Sequence, residues 1–198
     1  MTGPEQDPSR NEQVGGPEAD ATHPAPRIYV ASLSDYNAGR LHGEWIDAAQ
    51  ELEDLEESVQ AMLARSPTPG AEEYAIHDYE GFGPLHIDES LPLSSVARLA
   101  AGIEEHGAAF SAWAHTLDSV HLGDYLDRFD GFYVGTFESA TQFAEHELEA
   151  WGIDLDEIGP EPLRPYIRFD MEAYARDLSF EFRMVTDEEG RVHVFGVE

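Results

Sequence analysis

The chain has 198 residues and no cysteine, and its 41 Asp and Glu stand against 11 basic residues, all Arg, for a formal net charge of −30. That charge disfavours direct nucleic-acid binding, which gains affinity from Lys and Arg on phosphates, and the missing cysteine excludes disulfides and thiolate metal sites. No run approaches about 18 apolar residues and no signal-like segment opens the chain, so membrane insertion and secretion are disfavoured and a cytoplasmic location is expected.

Hydrophobic residues make up 41% and aromatic residues 11% of the chain. Acidic disordered proteins lack such aromatics, so the composition describes an acidic protein with a real core. Solubility alone needs a net charge of only about 2–8 in magnitude for a small domain. The excess here strains a folded state by crowding like charges. Either a salt-rich solvent demands it or a cationic partner reads it.

Residues 1–26 are rich in Pro, Gly, Asp and Glu, with one Val and no aromatic residue. They read as a disordered acidic leader. The remainder, 27–198, still carries 36 acids against 10 bases, so the charge belongs to the folded part.

An N-terminal α+β unit is expected over 27–90. Ile28–Leu33 reads as a strand, SDYNAGR as a turn and Leu41–Ile46 as a returning strand. Asp47 is placed to cap a helix running to Arg65, with Leu52, Leu55, Val59 and Met62 as its apolar stripe. Tyr74–Tyr79 is a third strand, and Gly39 and Gly81 are turn positions. A central helical unit follows over 91–129. Ser94 caps its first helix, Val96, Leu99, Ala100 and Ile103 share one face, and Gly107 stops it. Shorter helices are expected at 108–117 and 121–129.

The C-terminal α+β unit covers 130–198. Phe132–Phe137 is a strand, and Ser139-Ala-Thr-Gln142 is a capping-box pattern. The box opens a helix to Trp151 with Phe143, Leu148 and Trp151 inward. Asp170 caps a helix carrying Met171, Tyr174 and Leu178. Phe180–Thr186 and Arg191–Val197 form a terminal hairpin. The fold class expected is α+β: a three-stranded antiparallel sheet plus helix, a helical centre, and a second three-stranded sheet with helices.

The carboxylates recur where they do not help local structure. Pairs such as Glu53/Glu57 and Glu145/Glu149 stand four apart, where like charges cost a helix about 0.2–0.5 kcal/mol per pair. Glu104 and Glu105 sit near a helix C-terminus, where the macrodipole disfavours anions by about 0.3–1 kcal/mol each. Duplex DNA carries one charge per about 1.7 Å of axis, so 26 surplus charges match about 44 Å of duplex and two copies about 88 Å. A compact chain of this length has a radius of gyration of about 16 Å, so a dimer or an elongated arrangement could present a DNA-length acidic track.

Catalytic and metal motifs are weak. There is no HExxH, P-loop, GxSxG or EF-hand loop. On a strand, His77 and Tyr79 face one side and Asp78 and Glu80 the other, so His77-Asp-Tyr-Glu80 does not converge on a metal. His42 and Glu44 share a strand face as a weak two-ligand set. Trp113, Tyr125, Phe129 and Trp151 are read as core. No enzymatic activity, cofactor or metal is expected.

Four blocks resemble the ArdA antirestriction protein family in order and spacing. They are Pro26-Arg-Ile-Tyr-Val-Ala-Ser-Leu-Ser-Asp-Tyr-Asn-Ala-Gly-Arg-Leu-His-Gly43 with Glu44-Trp-Ile-Asp47, then Glu73-Tyr-Ala-Ile-His-Asp-Tyr-Glu80, Leu163-Arg-Pro-Tyr-Ile167, and Phe169-Asp-Met-Glu-Ala-Tyr-Ala-Arg-Asp-Leu178. The resemblance implies an elongated, three-part protein that dimerises, mimics bent B-form DNA and occupies the DNA-binding groove of type I restriction-modification enzymes. It also implies carriage on mobile genetic elements. The resemblance maps the family's antirestriction motif to about Trp151–Asp170, near the subunit interface, where Arg164 and Arg168 interrupt the negative field. The carboxylates expected to stand in for phosphates are Glu53, Glu56, Glu57, Glu72, Glu73, Glu104, Glu105, Asp118, Asp124, Asp127, Glu138, Glu145, Glu149, Asp154, Asp156, Glu157 and Glu161. Composition alone also admits a halophile-adapted globular protein, including an enzyme, and an acidic Ca²⁺-binding module, although no ligand loop for the latter is present.

Overall fold

The computed structural model describes residues 24–117 and 126–197. Strand β1 (Arg27–Ser32) lies at the centre of a three-stranded antiparallel sheet, between β2 (Gly43–Asp47) and β3 (Tyr74–Glu80). Its alternating Ile28 and Val30 are fully buried, as the period of two requires. A register shift against β3 falls between Tyr29 and Val30.

Between β1 and β2 the chain forms a short helix, α1 (Leu33–Asn37), where the sequence suggested only a turn. The Ser32 hydroxyl accepts the Asp35 amide at 3.3 Å, an N-cap hidden inside a strand-like run. Helix α2 (Leu52–Ala64) begins five residues after the expected cap. Asp47 instead ends β2, where its carboxylate accepts the Ala49 amide at 2.9 Å and turns the chain locally. Leu55, Val59, Met62 and Leu63 then face the sheet.

The long helix α3 (Leu93–His115) has its N-cap at Pro92 rather than at Ser94. It bends at Gly107, whose φ of 62° and ψ of −144° lie outside helical space, so the expected stop is a kink joining two helical arms. The first arm buries Val96, Leu99, Ala100 and Ile103; the second buries Phe110 and Trp113. The helical piece expected at 121–129 falls partly outside the described residues. Its described end is a 3₁₀ turn, Leu126–Arg128, leading into the one-turn helix α4 (Phe129–Phe132).

A second antiparallel sheet has the order β4-β6-β5, formed by β4 (Tyr133–Phe137), β5 (Phe182–Thr186) and β6 (Val192–Gly196). Helix α5 (Ala140–Ala150) opens as its capping box predicts, with Ser139 Oγ accepting the Gln142 amide at 3.2 Å. The Gln142 side chain reaches one residue further back than the simplest box and accepts from the Glu138 amide at 2.6 Å. Helix α6 (Met171–Leu178) is capped by Asp170, which accepts the Ala173 amide at 2.9 Å.

The larger core joins the first sheet, α2, both arms of α3, Phe129 and Phe195. A smaller one lies between the second sheet and helices α5 and α6, around Phe143, Ala144, Ala175, Leu178, Val192 and Val194. Phe195 ties the second sheet to the larger core, with its ring 5.3 Å from that of Trp113. No described helix is long and apolar enough to cross a membrane.

Candidate anionic interface

Thirty of the 33 Asp and Glu among the described residues are exposed. The expected phosphate stand-ins follow this pattern. Glu53, Glu56 and Glu57 lie on the solvent side of α2, opposite Leu55, Val59 and Met62. Glu72 and Glu73 are exposed just before β3, and Glu104 and Glu105 in the last turn before the Gly107 kink. Glu138 precedes α5, and Glu145 and Glu149 stand one turn apart along it. Asp154, Asp156, Glu157 and Glu161 are exposed on the segment that follows. Asp118 and Asp124 lie outside the described residues.

Among the described ones, two lie beside a basic side chain. Asp127 meets the Arg98 guanidinium at 2.9 Å, and Glu105 lies 3.7 Å from the His106 ring. Further exposed acids join the surface without having been singled out, among them Asp54, Asp130, Glu172, Asp177 and Glu181. Asp54 could have been found from α2 itself, since it lies three residues before Glu57 and off the apolar stripe.

Three carboxylates depart from the rule. Asp35 is fully buried. It accepts from the Ser66 hydroxyl, from Thr68 Oγ1 at 2.6 Å, and from Arg40 at 3.0 Å. The two hydroxyls, then the Ser32 and Arg40 bonds, overcome the opposing effect of burial and hold its carboxyl well below the usual carboxylate range. Asp187 sits at the start of the β5–β6 turn. Burial pushes its carboxyl up, but the Arg191 side chain and amide outweigh burial and the net shift is downward. Glu147, on the inner side of α5, is pushed up chiefly by burial, with the Glu181 charge adding to it and His146 opposing.

The structure brings Glu145, Glu149 and Asp154 together. They line an open groove of about 440 Å³ together with Leu148, Ile153, Leu155 and Met171. A helix C-cap builds it. The Gly152 amide donates to Glu149 O and the Ile153 amide to Leu148 O, both at 2.9 Å, with Gly152 at φ 69°. This is the Schellman pairing, in which a glycine in left-handed conformation reverses the chain and brings an apolar residue back against the last turn. Leu148 and Ile153 are that apolar pair.

Because the helix ends at Ala150, Trp151 does not continue its inner stripe. It is 71% exposed, not inward as the helical spacing suggested. Trp113 and Phe129 are buried as expected, and Tyr125 lies outside the described residues. Leu163, Tyr166 and Phe180 are also largely exposed, at 54%, 81% and 82%.

The weak metal candidates have other roles. His77 packs edge-on against Tyr36 at 4.9 Å. A ring nitrogen of His42 lies 2.8 Å from the Met62 carbonyl, and Glu44 pairs with Arg65. Among the described residues no three His, Asp or Glu are placed to hold a metal ion.

The model of one protein family, described as antirestriction protein (ArdA), matches residues 28–193. No curated protein matches the chain.

Proposed function

Since the chain belongs to the ArdA antirestriction protein family, we propose that it blocks restriction by presenting carboxylates where a type I restriction-modification enzyme expects DNA phosphates. On this reading it is an inhibitor without turnover that occupies the enzyme's DNA-binding groove in the cytoplasm. The supporting observation is the exposure of 30 of 33 described carboxylates on a folded scaffold. An acidic tail would lose backbone ordering entropy on binding, whereas the backbone of folded elements is already ordered. A cleft evolved for duplex DNA attracts such a surface over long range, with strong salt dependence.

The working form on this reading is a homodimer, and the units 27–90, 91–129 and 130–198 are laid end to end. A dimer doubles the charge to a length of about 88 Å of duplex. The exposed Tyr166 and Phe180 of the C-terminal part supply apolar surface of the kind a self-interface uses. The test is DNA cleavage by a type I enzyme with the chain added. Inhibition that saturates at a fixed ratio of chain to enzyme supports the reading; undiminished cleavage at low salt and molar excess ends it.

A further inference from the structure

We infer that the groove between α5 and Gly152–Leu155 seats one arginine or lysine side chain of the restriction enzyme's DNA-binding cleft, gripping its aliphatic stem as well as its charge. This rests on the reading above and adds a contact that DNA phosphates do not offer. A phosphate stand-in needs only an exposed anion. Here Glu145, Glu149 and Asp154 line the same groove as the apolar Leu148, Ile153 and Leu155. Ile153 and Leu155 remain 39% and 37% exposed. A groove with both carboxylate and apolar lining complements an amphipathic cation, because Arg and Lys lay their methylene stems along apolar surface and keep the charged head polar.

The apolar lining is preorganised. The Schellman hydrogen bonds at Gly152 and Ile153 hold it, so little ordering cost remains for the incoming side chain. Trp151, one residue before Gly152, offers an exposed aromatic face, and an Arg guanidinium is attracted to such a face. The chain already uses this chemistry internally. The Arg27 guanidinium lies 5.4 Å from the centre of the Trp45 ring and bonds Glu80 at 3.1 Å.

The test is competition of the full chain against DNA for a type I enzyme at several salt concentrations. Glu149→Gln removes charge, so its displacement curve should depend less steeply on salt. Leu155→Ser removes only apolar lining, so it should weaken binding about fivefold at every salt concentration, with the slope unchanged. Ile153→Ser gives the same reading at a second apolar residue should Leu155→Ser fail to fold. Unchanged affinity in both Leu155→Ser and Ile153→Ser overturns the inference, as does a changed salt slope in either of these two variants. So does conversion of dimer to monomer in sedimentation, which would assign the groove to a second copy. Wild-type chain that never displaces DNA fails the broader reading, and the seat with it; wild-type displacement with both Ser variants indifferent fails the seat alone.

Discussion

The Arg40 guanidinium lies 3.0 Å from the carboxylate of Asp35, the one fully buried acid among the described residues. This cluster joins α1 to the Ser66–Thr68 turn after α2. Asp35→Asn leaves two hydroxyls and a guanidinium facing a weaker acceptor. We expect a clear fall in melting temperature, larger than for Glu56→Gln on the exposed face of α2.

The same group sets a pH dependence. Its carboxyl is held below the ordinary range in the folded chain, so the unfolded chain takes up the proton first as pH falls. The stabilisation is complete above about pH 4, the ordinary Asp value. It is lost progressively below that, as pH approaches the lower folded value. The melting-temperature gap between wild type and Asp35→Asn should therefore hold constant above pH 4 and narrow below it. A gap that widens in acid would contradict the assignment.

Gly107 offers a test of the kink. Its φ and ψ suit only glycine, and a Cβ there would meet nothing within 4 Å. The cost of Gly107→Ala is then backbone strain alone, about 1–3 kcal/mol. Denaturant unfolding measures it. A neutral or stabilising result would mean that α3 straightens at this point without penalty.

Salt separates a decoy from a halophile-adapted protein. A decoy keeps its fold in dilute buffer and loses only its partner as salt rises. A halophilic chain unfolds as salt is withdrawn. We expect the circular dichroism spectrum to persist at 10 mM salt, on the order of a 30 Å screening length. Unfolding there would favour adaptation to brine over mimicry.

Self-association is expected through the C-terminal part. Sedimentation at micromolar concentration should give a dimer, and Tyr166→Asp with Phe180→Asp should shift it to monomer, since both side chains are more than 80% exposed in one copy. A monomeric wild-type chain would remove the doubled track.

Both sheets, the α5 and α6 caps and the terminal hairpin were legible in the sequence, because alternation and cap residues act over a few neighbours. What escaped depended on where elements stop. Trp151 sits three residues after Leu148 and reads as one more turn of the inner stripe; the Gly152 reversal turns it outward. Asp47 reads as a helix cap until its carboxylate is seen turning the chain at Ala49. The exposure of the chosen acids among the described residues followed from composition, but the meeting of Glu145, Glu149 and Asp154 in one groove did not, since it needs the C-cap geometry. Asp35 looked like one acid among many because its partners Ser66 and Thr68 lie across the fold.

Displacement of labelled duplex DNA from the DNA-binding core of a type I restriction-modification enzyme, followed by fluorescence anisotropy at low salt, tests the central claim most directly. Carboxylates held as phosphate stand-ins give full displacement at a fixed small ratio of chain to enzyme, fading steeply as salt is raised. DNA that stays bound in the presence of excess folded chain contradicts it.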